Sequence, residues 1–133
     1  MIVRLAEAAD WPRIREIRDE YYANRQAPVQ DREGQGQWQV AEHKGRIVAV
    51  VSHQDTPGAN QRWQMDLYGE TTRYGKAGVG AIMSEVHRQA DQDGVTLCGI
   101  TEPDNTANLD AAYNRGWSIG GIFIYREPNR EGQ

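Results

Sequence analysis

The sequence predicts one α/β domain built on a central mixed sheet of about six strands, with three to four helices flanking it. Three observations carry that expectation. The run Ile-Val-Ala-Val-Val at 47–51 and the alternation of Trp63, Met65 and Leu67 with polar neighbours are strand patterns. Around 11–21 and 79–90, apolar residues return every three or four positions, the spacing of one buried helix face. Short turns separate the early strands and helices the late ones, so antiparallel pairing early should give way to parallel crossovers.

Taken in order, MIVRL opens as a short apolar strand, and Asp10 stands as a helix cap before Trp11 and Pro12. Trp11, Ile14, Ile17 and Tyr21 then form a buried stripe opposite a charged face. The polar, Gly-containing segment 24–37 reads as a mobile loop. Trp38, Val40 and Glu42 lead through a turn at 43–46 into the apolar run, which makes a hairpin. After a breaker at 55–61 comes the strand 62–68, then a helix whose Val79, Ile82, Met83, Val86 and Ala90 share a face and which Gly94 closes. A strand at 95–101, a turn at 102–105, a short helix at 108–114 stopped by Gly116, and a last strand at 119–126 complete the expected domain over 1–127. Residues 128–133 read as a disordered tail.

Composition narrows the function. The net charge of -4 and the lack of a Lys/Arg cluster argue against a nucleic-acid partner. No apolar run approaches the roughly 20 residues that span a bilayer, and nothing near Met1 reads as an export signal, so a cytoplasmic protein is expected. Cys98 is the single cysteine, expected as a buried structural thiol. His43, His53 and His87 are too widely spaced to predict a metal site. Trp11, Trp38, Trp63 and Trp117 all fall in expected elements, where aromatics serve a core better than an interaction surface.

The segment carrying most chemistry is Gly75-Lys76-Ala77-Gly78-Val79-Gly80, expected as a flexible loop between a strand and an amphipathic helix. Glycines let a backbone approach a ligand closely, and free amides at a helix start favour phosphate oxygens, with Lys76 adding charge. The spacing fits neither a Walker loop nor a dinucleotide fingerprint. The alternative is that these glycines break the strand or let the helix pack closely.

The loop resembles the acyl-CoA motif Gln/Arg-x-x-Gly-x-Gly/Ala of the GNAT superfamily of N-acyltransferases, and the segment from Asn105 through Tyr113 to Gly116-Trp117 is similar to that family's late Asn, helical Tyr and Gly-Phe. Together the two regions place essentially the whole chain in that family's fold. The resemblance implies a GNAT fold, acetyl-CoA as co-substrate, no metal, and acetyl transfer to a primary amine of a small molecule or protein. By the family pattern, amides of residues 76–80 hold the pyrophosphate, residues 68–70, beginning at Tyr68, meet the acyl carbonyl, Asn105 contacts the pantetheine and Tyr113 protonates the leaving thiolate. Glu70 or Glu102 stands where related enzymes place a base, and both serve equally as solvated loop residues.

The chain also departs from the pattern. Gly75 replaces the motif's Gln/Arg, and Thr72 a common Pro. Tyr113 falls one residue late, about 100° around a regular helix, where packing as a core aromatic is the alternative. A seventh strand is not apparent, which leaves a sheet edge that a second copy could cover as a homo-oligomer. These departures motivate the alternative function, a GNAT-fold binding or structural protein without transfer chemistry, for example a bacteriophage particle component located in a virion.

Overall fold

A computed structural model describes residues 1–100, 110 and 112–118. The chain divides into two compact units, Met1–Ile100 and Thr101–Gln133. The first holds β1 (Ile2–Leu5), a 3-10 turn (Ala8–Asp10), α1 (Trp11–Asn24), β2 (Gln37–His43), β3 (Arg46–Thr56), β4 (Gln61–Gly69), α2 (Arg73–Asp93) and β5 (Thr96–Gly99). This is the expected mixed α+β architecture, with five strands among the described residues. The last strand expected at 119–126 lies outside them, as does the tail.

The sheet order follows the chain, β1-β2-β3-β4-β5. The first four strands pair antiparallel and β5 joins β4 in parallel after the α2 crossover. Lys44 (φ 50) and Gly45 (φ 80) make the two-residue β2–β3 turn, whose paired positive φ values match the right-handed twist of the strands. Two bulges follow. Ala41 faces Ala49 while Glu42 faces Ile47, which makes Val48 the extra residue of β3. Ser52 faces Asp66 while His53 faces Gln64, which makes Met65 the extra residue of β4.

Central β3 is buried continuously from Ile47 to His53, because helices cover both of its faces. On one side, Ile14, Ile17 and Tyr22 of α1 pack with Trp38, Val40, Ile47, Val50 and Tyr68, and Trp11 meets Trp38 edge-on at 5.0 Å. On the other, Ile82 and Val86 of α2 pack with Ala41, Val48, Ala49 and Val51. Cys98 departs from its expected burial: β5 is a short strand whose residues range from half-buried to exposed, and the thiol is half-buried with it.

The segment 25–36, expected as a mobile loop, forms no helix or strand but is tied down at several points. Arg32 pairs with buried Asp66 at 2.8 Å, Glu33 pairs with Arg15, and the Gln35 carbonyl accepts the Trp38 indole N–H at 2.9 Å. In the second unit, residues 112–114 are helical. The Gly116 and Trp117 amides close that turn onto Tyr113 and Ala112, and the φ of 87° at Gly116 is the left-handed stop expected there.

Candidate active site

The candidate site lies at the fork marked by the end of the described β4–β5 pairing. The two strands pair only from Gln61 opposite Thr96 to Gln64 opposite Gly99. The bulge at Met65 comes next, and beyond it β4 runs on to Gly69 with no strand on its β5 side among the described residues. Along 66–69 β4 stays paired with β3 on its other edge. The bulge against β3 bends β4 at this point.

The chain reaches α2 in three residues, and here one expectation is corrected. The glycine segment 75–80 is not a loop, because α2 begins at Arg73 and takes it into its first two turns. Thr72 is the N-cap: its hydroxyl accepts the Tyr74 and Gly75 amides at 3.2 and 3.3 Å, and its carbonyl accepts the Lys76 amide at 3.3 Å. Amides of residues 77–80 lie inside the helix ladder, so the cradle expected of residues 76–80 is drawn into hydrogen bonds of the helix itself. Two of the glycines are explained by packing. A Cβ on Gly75 would stand 1.8 Å from the Glu70 carbonyl oxygen, and one on Gly78 2.8 Å from Val48 Cγ2. Gly80 is different, since a Cβ there would meet nothing within 4 Å. Lys76 and Ala77 are exposed beside it, and Val79 packs partly against the sheet.

Glu70 directly follows β4 as a buried carboxylate whose side chain is 3% exposed. Its Oε1 accepts from Arg13 at 2.5 Å and Arg46 at 2.8 Å, and its Oε2 accepts the Thr72 hydroxyl at 2.5 Å. The residue thus clamps α1, the start of β3 and the cap of α2 to one point. Beside it, Glu20 accepts the Thr71 hydroxyl and, at 2.9 Å, the Thr71 amide. Those bonds hold the Glu20 carboxyl below its ordinary range.

Tyr68 points its ring into the α1 side of the sheet, not into the fork. Its hydroxyl donates to Asp66 Oδ1 at 2.5 Å and meets the Tyr22 hydroxyl at 3.0 Å. Burial, reinforced by those bonds, pushes the phenol well above its ordinary range, so it stays protonated. Asp66 also accepts from Ser52 at 2.5 Å and Arg32 at 2.8 Å. Sequence reasoning passed over this group of Tyr22, Arg32, Ser52 and Asp66. The available signal was an aspartate two residues from Tyr68 on the same face of a strand otherwise flanked there by Met65 and Leu67.

Tyr113 is 48% exposed within its own unit. Glu102 and Asn105 lie outside the described residues. Among the described residues there is no cluster of metal-ligating side chains and no helix long and apolar enough to cross a membrane.

Comparison with solved structures gives the fold its name. The chain superimposes on an aminoglycoside N-acetyltransferase in complex with coenzyme A with a TM-score of 0.69 at 12% identity, over 97% of this chain and 100% of that one. A possible acetyltransferase from Clostridium difficile 630 gives 0.75 at 14% identity, over 97% of both chains. A ribosomal-protein-alanine N-acetyltransferase from Brucella melitensis gives 0.63 at 20% identity, over 87% of this chain and 83% of that one. No protein-family model matches the sequence, and no curated protein matches it. The likeness is one of architecture: the chain has the GNAT fold.

Proposed function

We propose that this GNAT-fold chain is an acetyl-CoA-dependent N-acyltransferase that moves an acetyl group to a primary amine of a small molecule or protein. The observation that supports the reading is the element order, in which β4 runs through Gly69 into the N-terminus of α2 and β5 joins β4 in parallel after that helix. An extended acyl-pantetheine arm is the kind of ligand a free strand edge accepts, because its amides can replace a missing strand. The positive end of α2, with Lys76 and the open surface at Gly80, suits the pyrophosphate.

In this reading the amine nitrogen attacks the thioester carbonyl carbon, and backbone groups at 68–70 steady the charge that builds on the carbonyl oxygen. The C–S bond then breaks, and Tyr113 gives the leaving thiolate its proton. The proton lost by the ammonium goes to a carboxylate. Of the two candidates, Glu102 takes that role, because both oxygens of Glu70 are committed to Arg13, Arg46 and Thr72. Asn105 contacts the pantetheine.

A second reading, a GNAT-fold binding protein without transfer chemistry, draws support from the early start of α2 and the self-capping by Thr72. One experiment separates the two. Calorimetric titration with acetyl-CoA is paired with a thiol-release assay over a panel of primary amines. Heat with amine-dependent thiol release is the expected result, and Gly80→Leu weakens both without lowering the melting temperature. Cofactor binding without release favours the second reading, and no heat at all removes the first.

A further inference from the structure

The far end of α2 holds a cavity that the transfer reading does not use. It measures about 530 Å³, and its walls include Gln39, His53, Asp55, Arg62, Gln89 and Asp93. Gln89 and Asp93 lie in the last turns of α2, 17 and 21 residues after Thr72. At roughly 1.5 Å per helical residue, the cavity stands about 25 to 30 Å from the capped end that faces the fork.

Two of its residues are buried polar groups left incomplete. Gln39 and His53 are each 4% exposed, and Gln39 Oε1 and His53 Nε2 have no hydrogen-bond partner among the described residues. An unsatisfied buried group of this kind costs about 1 to 3 kcal/mol, so a fold that keeps two of them beside one cavity has reason to. The orientation of Gln39 is fixed by a relay. Glu85, a carboxylate that can only accept, takes the Gln89 amide N–H at 3.1 Å. Gln89 Oε1 must then accept from Gln39 Nε2, at 3.2 Å, and Gln39 Oε1 is left as a free acceptor.

The charge on the walls is acidic on balance. Arg62 is held by Asp55 at 2.8 Å and Asp93 at 3.0 Å, one guanidinium against two carboxylates. Burial, with Arg62 nearby, pushes the His53 imidazole down to about 4, so at neutral pH it adds no positive charge to the cavity. What remains is a wall of one buried amide side chain and one uncharged imidazole, with the two more exposed carboxylates beside them.

We propose that this cavity is a second ligand site, distinct from the acyl-transfer cleft, and that it takes a small aliphatic ammonium such as a diamine or polyamine. When the enclosed Gln39 and His53 side chains turn toward the cavity, one ammonium supplies the N–H donor that Gln39 Oε1 lacks and, with the His53 proton on Nδ1, a second to Nε2. A second positive group is balanced by Asp55 and Asp93. A neutral polyol could offer hydroxyl donors but would draw nothing from the excess carboxylate.

The test uses the full chain and calorimetric titration with putrescine, spermidine and the neutral polyol erythritol. The amines bind and erythritol does not. Gln39→Met keeps the shape and removes the acceptor, and it weakens spermidine by about tenfold or more. Asp93→Asn, at an exposed position, weakens it by a similar factor at low salt and by less at high salt. Thermal melts check that each variant folds, and Asp93→Asn decides the matter alone if Gln39→Met does not fold. Absence of amine binding up to about 10 mM overturns the proposal. It is equally overturned by erythritol binding as tightly, or by amine affinity that survives both substitutions and is lost instead on adding coenzyme A, which would put the amine in the transfer cleft.

Discussion

Replacing Gly75 and Gly80 by alanine should move stability in opposite directions, although both glycines sit in the first two turns of α2. In a helix interior, Gly→Ala is worth about 1 kcal/mol in favour of folding. At Gly80 nothing opposes that gain, because a Cβ meets no atom within 4 Å. At Gly75 the same atom would stand 1.8 Å from the Glu70 carbonyl oxygen and 2.8 Å from the Glu70 nitrogen and carbon. These are backbone atoms, pinned by the Glu70 amide bond to Val48 O at 2.9 Å and by the Glu70 ion pairs, so they cannot swing aside as a side-chain tip could. Overpacking of this sort costs about 3 kcal/mol, which leaves Gly75→Ala destabilised by about 2 kcal/mol after the helix gain. An unfolding entropy of about 2.1 cal/mol/K per residue makes each kcal/mol worth about 4 °C for a chain of this length. Thermal melts read side by side should show Gly75→Ala falling by about 7 °C and Gly80→Ala rising by about 2 to 4 °C. If both rise together, the contact between α2 and the end of β4 is not as tight as described, and the packing explanation of Gly75 fails.

Three other outcomes follow from the same contacts. Tyr68→Phe deletes a donor to buried Asp66 and the partner of Tyr22, and urea titration should register a loss of about 1 to 3 kcal/mol. Thr72→Ala removes the cap on the Tyr74 and Gly75 amides and should cost about 1 kcal/mol in the same assay. His53 titrates near 6.5 when unfolded and at about 4 in the fold, so between those values the unfolded chain binds a proton that the native chain refuses. Stability is therefore fully present above pH 6.5 and falls as pH drops toward 4, by about 3 kcal/mol in all. His53→Gln should flatten that slope while leaving the carboxylate contribution at lower pH in place, and an unchanged slope would refute the depression.

Much of the fold was legible because its signals are local. The β-branched run of β3, the period of α1, the Lys44-Gly45 turn and the closure of α2 at Gly94 each declare themselves within a few residues. The start of α2 did not, because glycine reads as a breaker when the reason for it lies elsewhere in the chain. Gly75 answers to the Glu70 carbonyl and Gly78 to Val48 and Ala49, contacts that no local window contains. The cap at Thr72 was in the text, but the glycines after it masked it. Glu70 was singled out as a chemical residue, but two of its three partners, Arg13 and Arg46, come from distant elements, so only Thr72 lay within a local window. His53 appeared only as one of three scattered histidines. Its significance depends on Gln39 and Gln89, 14 and 36 residues away in the chain.

The early start of α2 changes what the transfer reading requires of the cofactor. In an uncapped helix, amides of the first turn are free for an anion, and the dipole adds to their pull. Here Thr72 already serves two of them, so a pyrophosphate must displace its hydroxyl or bind beside it. Displacement gives back the cap, about 1 kcal/mol, which is a little less than tenfold in affinity. Thr72→Ala removes that competition, so the substitution that weakens the fold should tighten coenzyme A, and the two effects can be read on one protein by melting and by calorimetry. Loosened cofactor binding in Thr72→Ala would mean that the hydroxyl is itself a ligand contact. Unchanged binding would move the pyrophosphate away from the helix start and toward Lys76 and the open surface at Gly80.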